Sequence, residues 1–160
     1  MKAIRTLDKI INTFLKIVVV LMLGTMSVVV FAQVVFRIVH MSIPWSEELS
    51  KYLLIWCTFL GAALCVRKGS LVGLEFLGNL LPETARKVLK TLVNIAVCVL
   101  LVALIGVGFW ASRRVWFQTT PVLKQPMGLM YAAIPVGSCF MLLNEIFTTI
   151  YLWKGEEEES

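Results

Sequence analysis

In "PWSEELSKYLLIW", residues 44–56, Glu47, Glu48 and Lys51 stand immediately before an apolar run that carries no further charge until Arg67. Carboxylates placed there have two uses. They can satisfy the free N–H groups and positive pole of a helix that starts near Pro44, with Glu47 also reaching Lys51 one turn on. They can also meet a cation from elsewhere, and Arg37 lies just across the short turn "IVHMSI". Ionisable groups at membrane depth commonly have a role, so a contact to another subunit stays open beside capping and pairing.

The remaining reactive side chains are sparse. Haem ligation in a membrane needs paired axial ligands, and the single histidine, His40, falls in a loop. Cys57, Cys65, Cys98 and Cys139 form no C-x-x-C pair and read as small apolar residues inside hydrophobic runs. Glu145 sits in the last third of its run, where an interfacial or bundle-facing acid is the common case. No nucleophile and base are placed to meet. The pattern therefore predicts no enzyme, no cofactor and no metal site.

The elements that hold these residues are membrane spans. The 160-residue chain is 59% hydrophobic and 16% charged, too apolar for an ordinary soluble domain. Residues 17–36, 91–112 and 125–144 lack any Asp, Glu, Lys or Arg, each about the ~20 residues that cross a ~30 Å hydrocarbon core. Residues 52–66 are also free of charge, and this run spans if it borrows its first turn from the Glu47/Glu48/Lys51 group. Hydrocarbon offers backbone groups no partner, so each crossing must be a helix. The expected fold is an all-α integral membrane protein with four transmembrane helices at approximately 12–37, 45–66, 88–112 and 126–152, in a single membrane domain. The first span is too long for a signal-peptide core and reads as a retained anchor.

Between the second and third spans, Lys68, Glu75, Asn79 and Arg86 share one helical stripe while Leu74, Leu77, Leu80 and Leu81 lie opposite. This predicts an amphipathic interfacial helix over approximately 70–81, with Leu74, Leu77 and Leu81 seated on the membrane. Pro82 ends it. Small residues recur at steps of four in Cys57, Gly61 and Cys65 and again in Gly128/Ala132 and Ala133/Gly137, a spacing that favours close helix packing within the chain or between subunits. Pro135 predicts a kink in the fourth span.

The basic residues set the expected orientation. Lys2, Arg5, Lys9, Lys16, Arg67, Lys68, Arg86, Lys87, Lys90 and Lys154 fall on one side of a four-span chain, against Arg37, Lys51, Arg113, Arg114 and Lys124 on the other. Both termini are then cytoplasmic, with the acidic tail 155–160 weighing little. Arg113 and Arg114 lie between Trp110 and Trp116 at the outer interface. The basic residues are scattered, so nucleic acid is not an expected partner.

The run "VVFRIVHMSIPWSEELSKYLLIWCTFLGAALCVRKG" resembles the small membrane subunit of the tripartite ATP-independent periplasmic (TRAP) transporters through Arg37, Trp45, Glu48, Trp56, Gly61 and Arg67 in order. "PMGLMYAAIPVG" is similar to the same family through Pro126, Gly128, Tyr131, Pro135 and Gly137. In place of the histidine often found after the basic residue, "KGSLVGLEF" has Ser70. The resemblance implies a bacterial inner-membrane scaffold beside a large multi-span permease subunit, with a periplasmic substrate-binding protein delivering an organic acid such as a C4-dicarboxylate, sialic acid or other sugar acid for sodium-driven uptake. It implies contacts to those partners at Arg37, Trp45, Glu47, Glu48, Arg113 and Arg114, and helix packing at Cys57, Gly61, Gly128 and Ala132. The alternative is a self-sufficient homo-oligomeric transporter or channel. Spans with no evident polar heart favour the scaffold.

Overall fold

The computed structural model describes residues 2–41, 43–67 and 83–154. Every long element is helical: α1 (Lys2–Ile38), α2 (Pro44–Arg67), α3 (Glu83–Arg114), a short α4 (Met127–Tyr131) and α5 (Ala133–Lys154). Four stretches are long and apolar enough to cross a membrane: Thr6–Ile38, Pro44–Val66, Thr91–Arg114 and Met127–Thr149. The fold is thus all-α with four spanning helices, as composition and the backbone's need for internal hydrogen bonds dictate. The predicted interfacial helix with Leu74, Leu77 and Leu81, and the acidic tail, lie outside the described residues.

Runs rich in Val and Ile form helix here because no alternative satisfies the backbone in lipid. Hydroxyls on the exposed faces follow the same rule by bonding back one turn: Thr25 Oγ1 donates to Leu21 O (2.9 Å), Ser27 Oγ to Leu23 O (2.9 Å) and Thr58 Oγ1 to Leu54 O (2.7 Å). The turn after α1 closes with Met41 N–H on Phe36 O and His40 N–H on Arg37 O. With His40 at φ 61°, this is the left-handed helix stop that usually takes glycine.

In the bundle, α5 packs on both α2 and α3, and α1 packs on α2. Leu15, Val19, Cys57, Leu60, Ala63, Leu101 and Met141 form the buried core. Large apolar side chains cover the outside, Phe31 at 72% exposure and Val28 at 69% among them. A soluble protein would hide these; a membrane span presents them to acyl chains.

At the expected kink in the fourth span the helix is loosened rather than cut, with Ala132 still in the right-handed helical region (φ −63°, ψ −21°). Pro135 has no N–H and its ring crowds the carbonyl of Tyr131 one turn back. A turn at Ala132 divides α4 from α5. Ala132 N–H still reaches Gly128 O (2.8 Å) and Val136 N–H reaches Ala132 O (3.2 Å), so the chain crosses the turn with its neighbouring groups paired.

Candidate functional site

The end of the bundle that carries residues 38–44 and 115–126 is here the loop end, and the opposite end the terminal end. Glu48, Tyr52 and Trp56 recur at steps of four, which places them in one row on α2. Each bonds to the backbone of the segment entering the fourth span. The Glu48 carboxylate accepts Val122 N–H on Oε1 (3.1 Å) and Leu123 N–H on Oε2 (2.7 Å). Tyr52 OH donates to Pro126 O (3.1 Å), and Trp56 Nε1–H donates to Leu129 O (3.2 Å). The row is a clamp. It fastens a loop that is itself folded back by Thr120 N–H on Gln125 O (2.9 Å) and Met127 N–H on Gln118 O (2.7 Å), with Lys124 at φ 52°.

Glu48 therefore turns to this loop, and the reading that joins it to Arg37 is replaced by a contact with backbone groups far along the chain. Glu47, in the first turn of α2, and Arg37 are both exposed. Trp45 is 46% exposed. Ser46, which the sequence reading did not single out, is buried at the helix entry, where its Oγ donates to Ile43 O (2.7 Å).

The small residues divide by environment. A Cβ on Gly128 would stand 2.6 Å from Trp116 Cε3 and 2.8 Å from Ser112 O, while Ser112 Oγ donates to Gly128 O (2.8 Å). One on Gly137 would stand 2.5 Å from Phe59 Cβ, and one on Gly108 2.8 Å from Pro135 Cδ. These glycines let backbones touch. Cys57 is buried, and Ala132 sits at the loosened turn. Gly61 has nothing within 4 Å of a built Cβ, so close packing within the chain does not explain it.

The terminal end holds a polar layer that the sequence reading missed. Asn12 and Asn144 exchange amide bonds, each Nδ2 donating to the other's Oδ1 at 3.1 Å. Asn144 Nδ2 also donates to Ala63 O (2.7 Å) and Asn12 Nδ2 to Asp8 Oδ1 (2.8 Å). Three helices meet there. Nearby in sequence, Asn94 Nδ2 donates to Thr149 Oγ1 (2.9 Å), tying α3 to α5. Asp8, Asn94, Asn144 and Glu145 are all buried. The expectation of a bundle with no polar heart is corrected: its interior is polar at the terminal end, and the amides there are satisfied by one another. Asn144 ends a charge-free run and Asn12 lies before one, between Lys9 and Lys16, where a lone amide looks unremarkable; only the matching depth of Asn12 and Asn144 hints at a pair.

Arg113 and Arg114 close α3, their guanidiniums over Phe109 (5.1 Å to the ring centroid) and Trp110 (4.6 Å). No group of three His, Cys, Asp or Glu side chains able to hold a metal occurs among the described residues. Cys57, Cys65, Cys98 and Cys139 are free thiols. The hydrogen bonds of both ends fix the positions of helices and one loop.

Residues 26–155 match the family model for the tripartite ATP-independent periplasmic transporters, DctQ component. The chain is similar to a putative TRAP transporter small permease protein of Haemophilus influenzae, 30% identical over 95% of this chain and 98% of that one. It is 31% identical to the sialic acid TRAP transporter small permease protein SiaQ of Vibrio cholerae, over 95% of this chain and 90% of the relative. It is also 32% identical to part of the sialic acid TRAP transporter permease protein SiaT of Haemophilus influenzae, over 77% of this chain but 21% of the longer protein.

Proposed function

The chain belongs to the DctQ component family of the TRAP transporters, and we propose that it is the scaffold that braces a large multi-span permease subunit during sodium-driven uptake of an organic acid. The observation that carries this reading is the relative in which the matching region is 21% of a longer permease chain. A module that is joined covalently to a permease in one protein is suited to lie against a separate permease in another. Here the permease moves the substrate by alternating access, and this bundle holds its fixed part in place. A periplasmic binding protein delivers the acid, with sialic acid or a C4-dicarboxylate as the first candidates.

Polar side chains that bond within the chain support a bracing role. Asn12, Asn144, Glu48 and Tyr52 direct their polar atoms to other parts of the same bundle. Arg37, Trp45 and Glu47 remain exposed at the loop end and are the proposed outer contacts to the partners. Both termini lie in the cytoplasm.

Co-purification tests the reading. A tagged chain expressed with a large permease from an adjacent reading frame should bring that subunit with it. Liposomes holding both subunits, with the binding protein outside, should take up the acid on a sodium gradient. Uptake of solute by liposomes holding this chain alone would overturn the scaffold role and favour the self-sufficient transporter.

A further inference from the structure

Arg113 and Arg114 end α3 without reaching outward. Helical side chains lean toward their helix's own N-terminus, which for α3 at the loop end is the direction of the hydrocarbon. Both guanidiniums follow that lean onto the rings of Phe109 and Trp110, whose backbone positions lie about 6 Å deeper along the axis. Those rings are 56% and 60% exposed and face the surroundings of the bundle. Among the described residues, the two rings are the only side-chain partners that either guanidinium shows.

A ring face beneath a guanidinium attracts it but supplies no counter-charge, which leaves the cation to be neutralised by an anion. Directly after the arginines come Trp116, 47% exposed, and Phe117, 93% exposed. Aromatic side chains free at that level belong at the boundary of headgroup and acyl chain. Two adjacent cations, drawn toward the hydrocarbon and flanked by apolar rings, match one chemistry: a phosphate anion attached to acyl chains. An acidic protein arriving from water would be met by side chains that extend toward it.

We propose that the loop end of α3 binds the headgroup of an anionic phospholipid, with the phosphate held between Arg113 and Arg114 and with Trp110 and Phe117 against the upper acyl chain. The forked N–H donors of arginine suit a phosphate's oxygens. The site assigns these two arginines to lipid rather than to the partner contacts that the family resemblance implies for them, which leaves Arg37, Trp45 and Glu47 as the outer contacts of the scaffold. The lipid site stands whether or not that reading holds.

Quenching of tryptophan emission by brominated lipid tests it. The full-length chain is placed in phosphatidylcholine bilayers containing either brominated phosphatidylglycerol or brominated phosphatidylcholine, and circular dichroism verifies that each variant is helical. The native chain should be quenched more strongly by the anionic lipid. Arg113→Gln and Arg114→Gln, made singly, should each reduce that preference about fivefold, the effect expected of one arginine at an anionic surface. Lys51→Gln with Lys124→Gln removes two charges from the same end and should leave the preference intact. Equal quenching of the native chain by both lipids overturns the proposal, as does equal loss in the lysine variant, which would signify diffuse charge. An arginine variant that keeps its lipid preference but loses retention of the binding protein would assign the pair to a protein partner instead.

Discussion

Glu48 shows how much a single side chain can organise when its partners are backbone groups. A carboxylate offers two acceptor oxygens to Val122 and Leu123; glutamine offers one, and its NH2 group would face an N–H donor. Glu48→Gln should therefore destabilise the chain through the loss of a charge-assisted hydrogen bond. Glu47→Gln, at an exposed position, should stay within about 0.5 kcal/mol. Hydrogen exchange reads the difference locally: in Glu48→Gln the amides of Val122 and Leu123 should exchange faster while those in the middle of α1 do not change. Unaltered exchange at both amides would remove the clamp from the account. The role of Glu48 was only half legible in the sequence. Its place in the first turn of a helix followed from Pro44 and the apolar run, but its target could not, because an N–H group is the same in every residue type and leaves no trace at positions 122 and 123. The Asn12–Asn144 pair was hidden differently. Each residue looked ordinary at the edge of its own run, and what gives them meaning is that three helices bring them to one depth.

At the scale of elements, the four spanning helices were legible because lipid leaves the backbone so little choice, whereas the contacts between them depended on which face each helix turns inward. The small residues illustrate this. Spacing alone treats Gly61, Gly128 and Gly137 alike, yet a Cβ at Gly128 or Gly137 would collide with a neighbouring helix or loop and one at Gly61 would meet nothing within 4 Å. Gly128→Ala and Gly137→Ala should each cost about 1–3 kcal/mol, as overpacked contacts do. Gly61→Ala should leave the chain as stable as before or up to about 1 kcal/mol more so, since alanine is the better helix former. Thermal unfolding of the three variants in one detergent gives the ranking. A Gly61 variant as damaged as the other two would mean that α2 and its neighbours approach more closely than the structure has them. The loosened turn at Ala132 belongs to the same scale: Pro135 announced a disturbance, and its ring lies against the α3 backbone at Gly108, a contact that no spacing in the sequence shows.

For the whole molecule, the arrangement of fastenings is uneven in a way that bears on how it sits in the membrane. The loop end is held by the Glu48–Tyr52–Trp56 row and the terminal end by amides, so the two faces of the bilayer meet different surfaces. Positive charge is uneven as well: ten of the fifteen basic residues fall with the termini and the 68–82 segment, if the chain crosses four times. Four crossings are what the helices allow, and an even number returns the C-terminus to the side of the N-terminus. The positive-inside rule then assigns that side to the cytoplasm. Labelling can decide it. In a chain whose Cys57, Cys65, Cys98 and Cys139 are replaced by alanine or serine, a cysteine in place of exposed Lys124 should react with a membrane-impermeant maleimide in intact cells. A cysteine in place of Ser160 should react only after the cells are opened. The two positions report independently, so the reverse pattern would invert the bundle, and labelling of both in intact cells would mean an odd number of crossings. The reverse pattern would move the clamped loop away from the compartment in which, under the proposed function, a binding protein would deliver its acid, and with it the proposed outer contacts at Arg37, Trp45 and Glu47.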